Sequence, residues 1–142
     1  MSRILAFVSS PPGIRISRIA VGLVMLAAAL AKIGGPASFA AQIRHFRMLP
    51  DGPENLLAIT LPWIELLAGL ALVAGVRARA AAWLSLGLMA VFTLAVGQAL
   101  GRGLDIECGC FGTADASRVG TSKLLQNLAI LVVAWIASQR SR

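Results

Sequence analysis

Two nearly uninterrupted apolar stretches, Leu56 to Val76 and Ala80 to Leu100, follow one another with only a short basic connection between them. Each is long enough to cross the ~30 Å hydrocarbon core of a bilayer as a helix rising ~1.5 Å per residue. In lipid every backbone N–H and C=O must find its partner inside the segment, so an isolated apolar stretch of this length has to be helical. Two thinner stretches flank the pair. The first, Ile14 to Gly35, is free of charge only from Ile19 to Ala31, so Arg15, Arg18 and Lys32 are expected to snorkel toward the two surfaces. The last, Ser122 to Ala137, is short and implies a thinned bilayer or little tilt.

Composition agrees with this reading. Apolar residues make up 58% of the 142-residue chain and charged residues 13%, against about 25% charged in soluble domains. The expectation is a single all-α integral membrane domain over residues 1–142, a four-transmembrane-helix bundle with spans near 14–35, 56–76, 80–100 and 122–137. The opening MSRILAFVSSPPG is a poor secretion signal, because its apolar run from Ile4 to Val8 is short and Pro11-Pro12-Gly13 breaks it. The first span is therefore expected to serve as an uncleaved insertion signal. The net charge of +7 does not point to nucleic acid, since the basic residues sit singly at the ends of apolar runs and form no patch interleaved with aromatics.

An even number of spans puts both termini on one side. That side carries Arg3, Arg15, Arg18, Arg77, Arg79, Arg140 and Arg142 and no acidic residue. The other side carries Lys32, Arg44, Arg47, Arg102, Arg118 and Lys123, spread over longer loops among five of the six acids. Concentration of basic residues near span ends favours cytoplasmic termini. Between the first two spans, Phe39, Ile43 and Phe46 recur at helical spacing before Pro50, Asp51 and Gly52 stop the pattern. A short interfacial helix over the outer mouth of the bundle is expected there, resting on headgroups or acting as a lid.

Inside the second span, Glu65 lies about nine residues below the surface, or ~13 Å. A charge at such depth costs at least ~2.5 kcal/mol on insertion scales, so intramembrane acids are usually paired or functional. Lys32, Gln98 and Asn127 fall in the outer halves of their spans, and a Lys32–Glu65 pair would remove most of that cost. Such a pair can fix helix register, or it can border a proton path or a quinone headgroup site near Trp63, Glu65 and Asn127. Pro62 opens the backbone hydrogen bonding beside it, which in membrane helices can border a cavity. Trp83 and Trp135, near the cytoplasmic ends of their spans, read as belt residues.

The chain's two cysteines, Cys108 and Cys110, stand one glycine apart in GRGLDIECGCFG, on the outward side, where disulfides persist. Three uses are open: thiol–disulfide exchange, capture of a soft metal ion, or a structural clip. A bridge across one residue closes a small ring that strains disulfide geometry, and strained exposed bridges tend to be labile. Gly109 tolerates the backbone angles this requires. The charge of Glu107 disfavours a thiolate at Cys108, which favours Cys110 as the attacking thiol. A zinc site would need two further ligands, and the single His45 and scattered carboxylates supply no suitable spacing.

The segments AKIGGPASF, LPWIELLAG, GRGLDIECGCFG and SKLLQN together resemble the methylamine utilisation protein MauE family, which groups with DoxX-like membrane proteins. The likeness runs over roughly residues 15 to 137, with CGCFG and the final span its most specific part. It implies a four-helix membrane bundle in the bacterial inner (cytoplasmic) membrane, acting in thiol–disulfide exchange outside the cytoplasm. It implies as partners a thioredoxin-fold protein and an exported disulfide-containing client. Cys108 and Cys110 would be the redox pair, with Lys32, Pro62 and Glu65 as matching intramembrane positions. The competing reading is a non-catalytic accessory or scaffold subunit whose cysteines clip a loop or bind a soft metal.

Overall fold

The computed structural model describes residues 1–50, 52–104 and 120–140. Among these residues the secondary structure is entirely helical: α1 (Ser2–Val8), α2 (Pro11–Ile33), α3 (Pro36–His45), α4 (Pro53–Ala74), α5 (Ala78–Gly101) and α6 (Thr121–Ala137). Helices α2, α4 and α5 are long and apolar enough to cross a membrane, while α6 is apolar but has 17 residues. At ~1.5 Å per residue α6 spans about 25 Å, short of a typical hydrocarbon core.

The helix boundaries follow local chemistry. Pro11-Pro12, expected to break structure, instead start α2: proline is tolerated in the first turn, where its missing N–H would have no partner, and Ser10 accepts a hydrogen bond from Gly13 N at 3.4 Å. Pro36 and Pro53 open α3 and α4 in the same way. Helix α4 ends at Gly75, whose φ of 77° is the left-handed C-cap conformation that glycine adopts without steric penalty. The preceding residues Ser2–Val8 form a separate short helix that buries nothing, an element the sequence pattern did not suggest.

Helices α2 and α4 share the largest interface and run antiparallel, with Lys32 against Glu65 near one end and Gly22 against Gly69 further along. The buried face of α4 is a stripe of Glu54, Ala58, Pro62, Glu65, Gly69 and Leu72, spaced three or four residues apart. At the crossing the backbones nearly touch: a Cβ on Gly22 would lie 3.0 Å from Gly69 O, and one on Gly69 would lie 2.9 Å from Gly22 O. Small residues at helix crossings are how membrane helices gain packing when lipid is as apolar as their side chains. The main core continues this logic, with Ala68, Ala78, Ala81, Ala82, Ala134 and Ala137 around Val21, Met25 and Leu72.

Arg18 does not snorkel to water as expected. Its Nε donates to Ala137 O at 2.9 Å and its Nη2 to Gln139 O at 3.1 Å, while Arg79 Nε donates to Ser138 O at 3.4 Å. Carbonyls at a helix C-terminus lack intrahelical partners and attract cations, so the two arginines hold the end of α6 beside the starts of α2 and α5. At the opposite end, α3 lies across the bundle with Phe39 and Phe46 buried and Ile43 half-buried, the face its spacing indicated. Three polar ties fix it: Arg44 pairs with Glu54 at 3.5 Å, Gln98 Nε2 donates to Phe46 O at 2.9 Å, and Arg102 Nη1 donates to Arg47 O at 3.1 Å.

Candidate functional site

The Lys32 ammonium sits 2.9 Å from one Glu65 carboxylate oxygen and 3.1 Å from the other, with the side chains 1% and 2% exposed. Each residue occupies the buried stripe of its own helix, so the pair is made wherever α2 and α4 pack in this register. Two rings complete the ammonium's surroundings: the Phe39 centroid lies 5.0 Å from Nζ and the Phe92 centroid 4.6 Å away. Both distances are within cation–π range, where a desolvated ammonium gains most from a ring face. The ammonium is thus held by one carboxylate and two aromatic rings drawn from α3, α4 and α5.

Beside the pair is a cavity of about 20 Å³ lined by Met25, Lys32, Glu65, Met89, Phe92 and Asn127, among others. Asn127, on α6, is 3% exposed, and its Nδ2 has no hydrogen-bond partner among the described residues. The space suffices for one water molecule, and a buried amide beside a carboxylate supplies the polar partners such a water needs. The structure therefore gathers Lys32, Glu65 and Asn127 from three helices at one buried point.

The fourth suggested member is elsewhere. Trp63 is 54% exposed on the outer surface of α4, because two residues along a helix turn the side chain by roughly 200°, onto the face opposite Glu65. With Trp63 facing away and room for only one water, these residues do not fit a quinone ring at the suggested place. Trp83 and Trp135 are likewise exposed. The same Phe39 and Phe92 also line an apolar groove of about 360 Å³ between α3, α4 and α5. Gln98 carries no part of the buried site; it anchors α3.

Cys108, Gly109 and Cys110 lie outside the described residues. What is described is how the flanks are held: the end of α5 and the first turns of α6 meet under α3, where Phe46, Val96, Ala99, Leu104 and Leu124 pack together. The cage of Phe39 and Phe92 around Lys32 had no signal in the sequence. Phe39 read only as part of an interfacial face, and Phe92 as one apolar residue in a long run of them.

Residues 10–138 match the family described as methylamine utilisation protein MauE. The methylamine utilization protein MauE of Paracoccus denitrificans is 34% identical over 118 residues, covering 82% of this chain and 63% of its own length. Those of Methylorubrum extorquens and Methylophilus methylotrophus are 31% identical over 138 residues and 30% over 127, covering 94% and 88% of this chain and 74% and 67% of their own lengths. The chain thus spans less than two thirds of the length of the Paracoccus denitrificans relative. No solved structure matches it.

Proposed function

This chain belongs to the MauE family, and from that premise we propose that it is a membrane thiol–disulfide exchange protein working through Cys108 and Cys110. In this reading it is one domain crossing the bacterial inner membrane four times, with both termini cytoplasmic and the cysteines outside. One thiolate attacks a disulfide of a thioredoxin-fold partner to form a mixed disulfide. The second thiol then displaces the partner, which leaves as a dithiol while Cys108 and Cys110 keep the bridge. Run in reverse, the same two steps pass the bridge to the partner and on to an exported client. The relatives are named for methylamine utilisation, and a client in that process is the first to test.

The observation that carries the reading is that both cysteines of the chain fall in one tripeptide, on a segment whose two flanking helix ends are packed together beneath α3. A reactive dithiol needs an accessible loop on a firm base, and those helix ends supply the base. Lys32 and Glu65 are read as supporting residues that set the packing of that end, with Gly109 giving the ring its freedom to close.

The test is mechanism-based trapping. With Cys110 as the attacking thiol, Cys108→Ser should leave a partner covalently held at Cys110, visible as a reducible higher-mass species in cells treated with an alkylating reagent. If neither this variant nor Cys110→Ser traps anything, and both support full client maturation, the accessory-scaffold reading replaces this one.

A further inference from the structure

At the end of the bundle away from α3, a cavity of about 420 Å³ opens between the start of α2, the end of α4 and the start of α5. Its volume is within the ~300–1,000 Å³ typical of small-molecule sites. Unlike the groove beneath α3, its lining is substantially polar. Arg15 and Arg18 enter it from α2, one turn apart on the same face, with Ile19 beside them and Leu72, Val73 and Ala78 opposite. From the geometry we propose that this is a binding site for the phosphate headgroup of an anionic membrane phospholipid.

Four observations support this occupant. Arg15 is exposed and makes no hydrogen bond or ion pair among the described residues, so its guanidinium is open to a phosphate in the bidentate manner arginine favours. Arg18 commits Nε to the last carbonyl of α6 and Nη2 to Gln139 O just beyond it but keeps Nη1 uncommitted among the described residues, and is thereby fixed in place. Ala78 opens α5, whose N-cap Arg77 offers no side-chain acceptor, so among the described residues the first N–H groups of a 24-residue helix have no side-chain cap at the cavity's edge. Finally, Ile19 and Val73 are exposed apolar residues next to the arginines, a surface for acyl chains and of no use to a free anion. Of the carbonyls ending α4, which would repel a phosphate, Ala71 O is capped by backbone N–H donation, and the two guanidinium groups across the cavity outweigh the partial charges of the rest. Basic pockets between membrane helices are recognised sites for anionic headgroups.

The test uses the full chain purified in detergent, with lipid binding read by native mass spectrometry and by fluorescence competition. Dioleoylphosphatidylglycerol should bind in preference to dioleoylphosphatidylcholine, and the preference should fall as salt rises. Arg15→Gln should weaken the phosphatidylglycerol complex about fivefold, as expected for one arginine at a charged surface, with an unchanged elution volume and helical signal. Arg15→Lys should keep the preference for phosphatidylglycerol at reduced strength, because lysine meets a phosphate as a point charge and not bidentately. Inorganic phosphate at the same concentration should not displace the lipid; if it does, the site is one for free phosphate and the proposal fails. Equal retention of the two lipids by the unaltered chain would also overturn it, whether or not the variants fold, as would a folded Arg15→Gln chain with undiminished preference.

Discussion

Lys32 and Glu65 are expensive residues to place inside an apolar bundle, and their energetics follow from being made together. Each charge has been taken from water, and the contacts of 2.9 and 3.1 Å return Coulomb energy only while both partners are present. Removing one leaves the other buried without compensation, a loss of ~3–5 kcal/mol in comparable pairs. Glu65→Gln and Lys32→Met are therefore each expected to lower the folded yield and the thermal midpoint in detergent. The double variant should recover most of that loss, since neither side chain then carries an unmatched charge. A double variant as unstable as the sum of the singles would show that the two residues act independently. A double variant that is stable but no longer cycles its thiols would give the pair a role in exchange as well as in packing. This pairing was legible in the sequence, because a carboxylate and an ammonium at matching depth in neighbouring spans have few other solutions. The rings that flank the ammonium were not, because nothing distinguishes Phe92 from its apolar neighbours until α5 is rotated against α2.

Among the elements, the α2–α4 crossing is the one most sensitive to single atoms. The backbone oxygens that face Gly22 and Gly69 cannot swing aside as a side chain can. Gly69→Ala would place its Cβ 2.9 Å from Gly22 O and equally close to Leu26 Cγ. It should destabilise the bundle by ~1–3 kcal/mol, the usual cost of overpacking, despite alanine's better helix propensity. Gly87→Ala is the matched control, because a Cβ there meets nothing within 4 Å; it should leave the thermal midpoint unchanged or slightly raised. Similar midpoints for the two variants would mean that α2 and α4 do not cross at these glycines. The ends of the long helices lie a few residues from where hydropathy set them, because capping and not apolarity decides where a helix starts and stops. A proline can be the first residue of a helix as readily as it can break one, and only the structure shows that Pro11 and Pro53 do the former.

For the molecule as a whole, the two ends differ in charge, and that difference sets which compartment each should meet. The arginines that bind the α6 carbonyls and line the proposed phospholipid site all lie at the end of the bundle away from α3. With that end cytoplasmic, the residues between α5 and α6 are outside. A membrane-impermeant maleimide applied to intact spheroplasts after mild reduction should therefore modify Cys108 and Cys110. Modification only after lysis would invert the orientation and place the thiols in a compartment where stable bridges are rare.

What the sequence determined by itself is what depends on composition and period. Long apolar stretches have no stable form in lipid except the helix, and a 3.6-residue repeat tells which face of 36–46 turns inward, so the long apolar helices, the short helix between the first two and the Lys32–Glu65 pairing could be read directly, while α1 could not. What only the tertiary structure decided depends on how the helices rotate and slide against one another. That rotation turned Trp63 outward although it stands two residues from Glu65, and brought Asn127 of α6 to the buried pair. It also sent Arg18 across to the carbonyls of α6 in place of water. Inside a bilayer, hydropathy is nearly the same on every side of such a helix, so the choice of inward face falls to glycine and alanine contacts and to a few buried polar bonds, which exist only once the partner helix is in place.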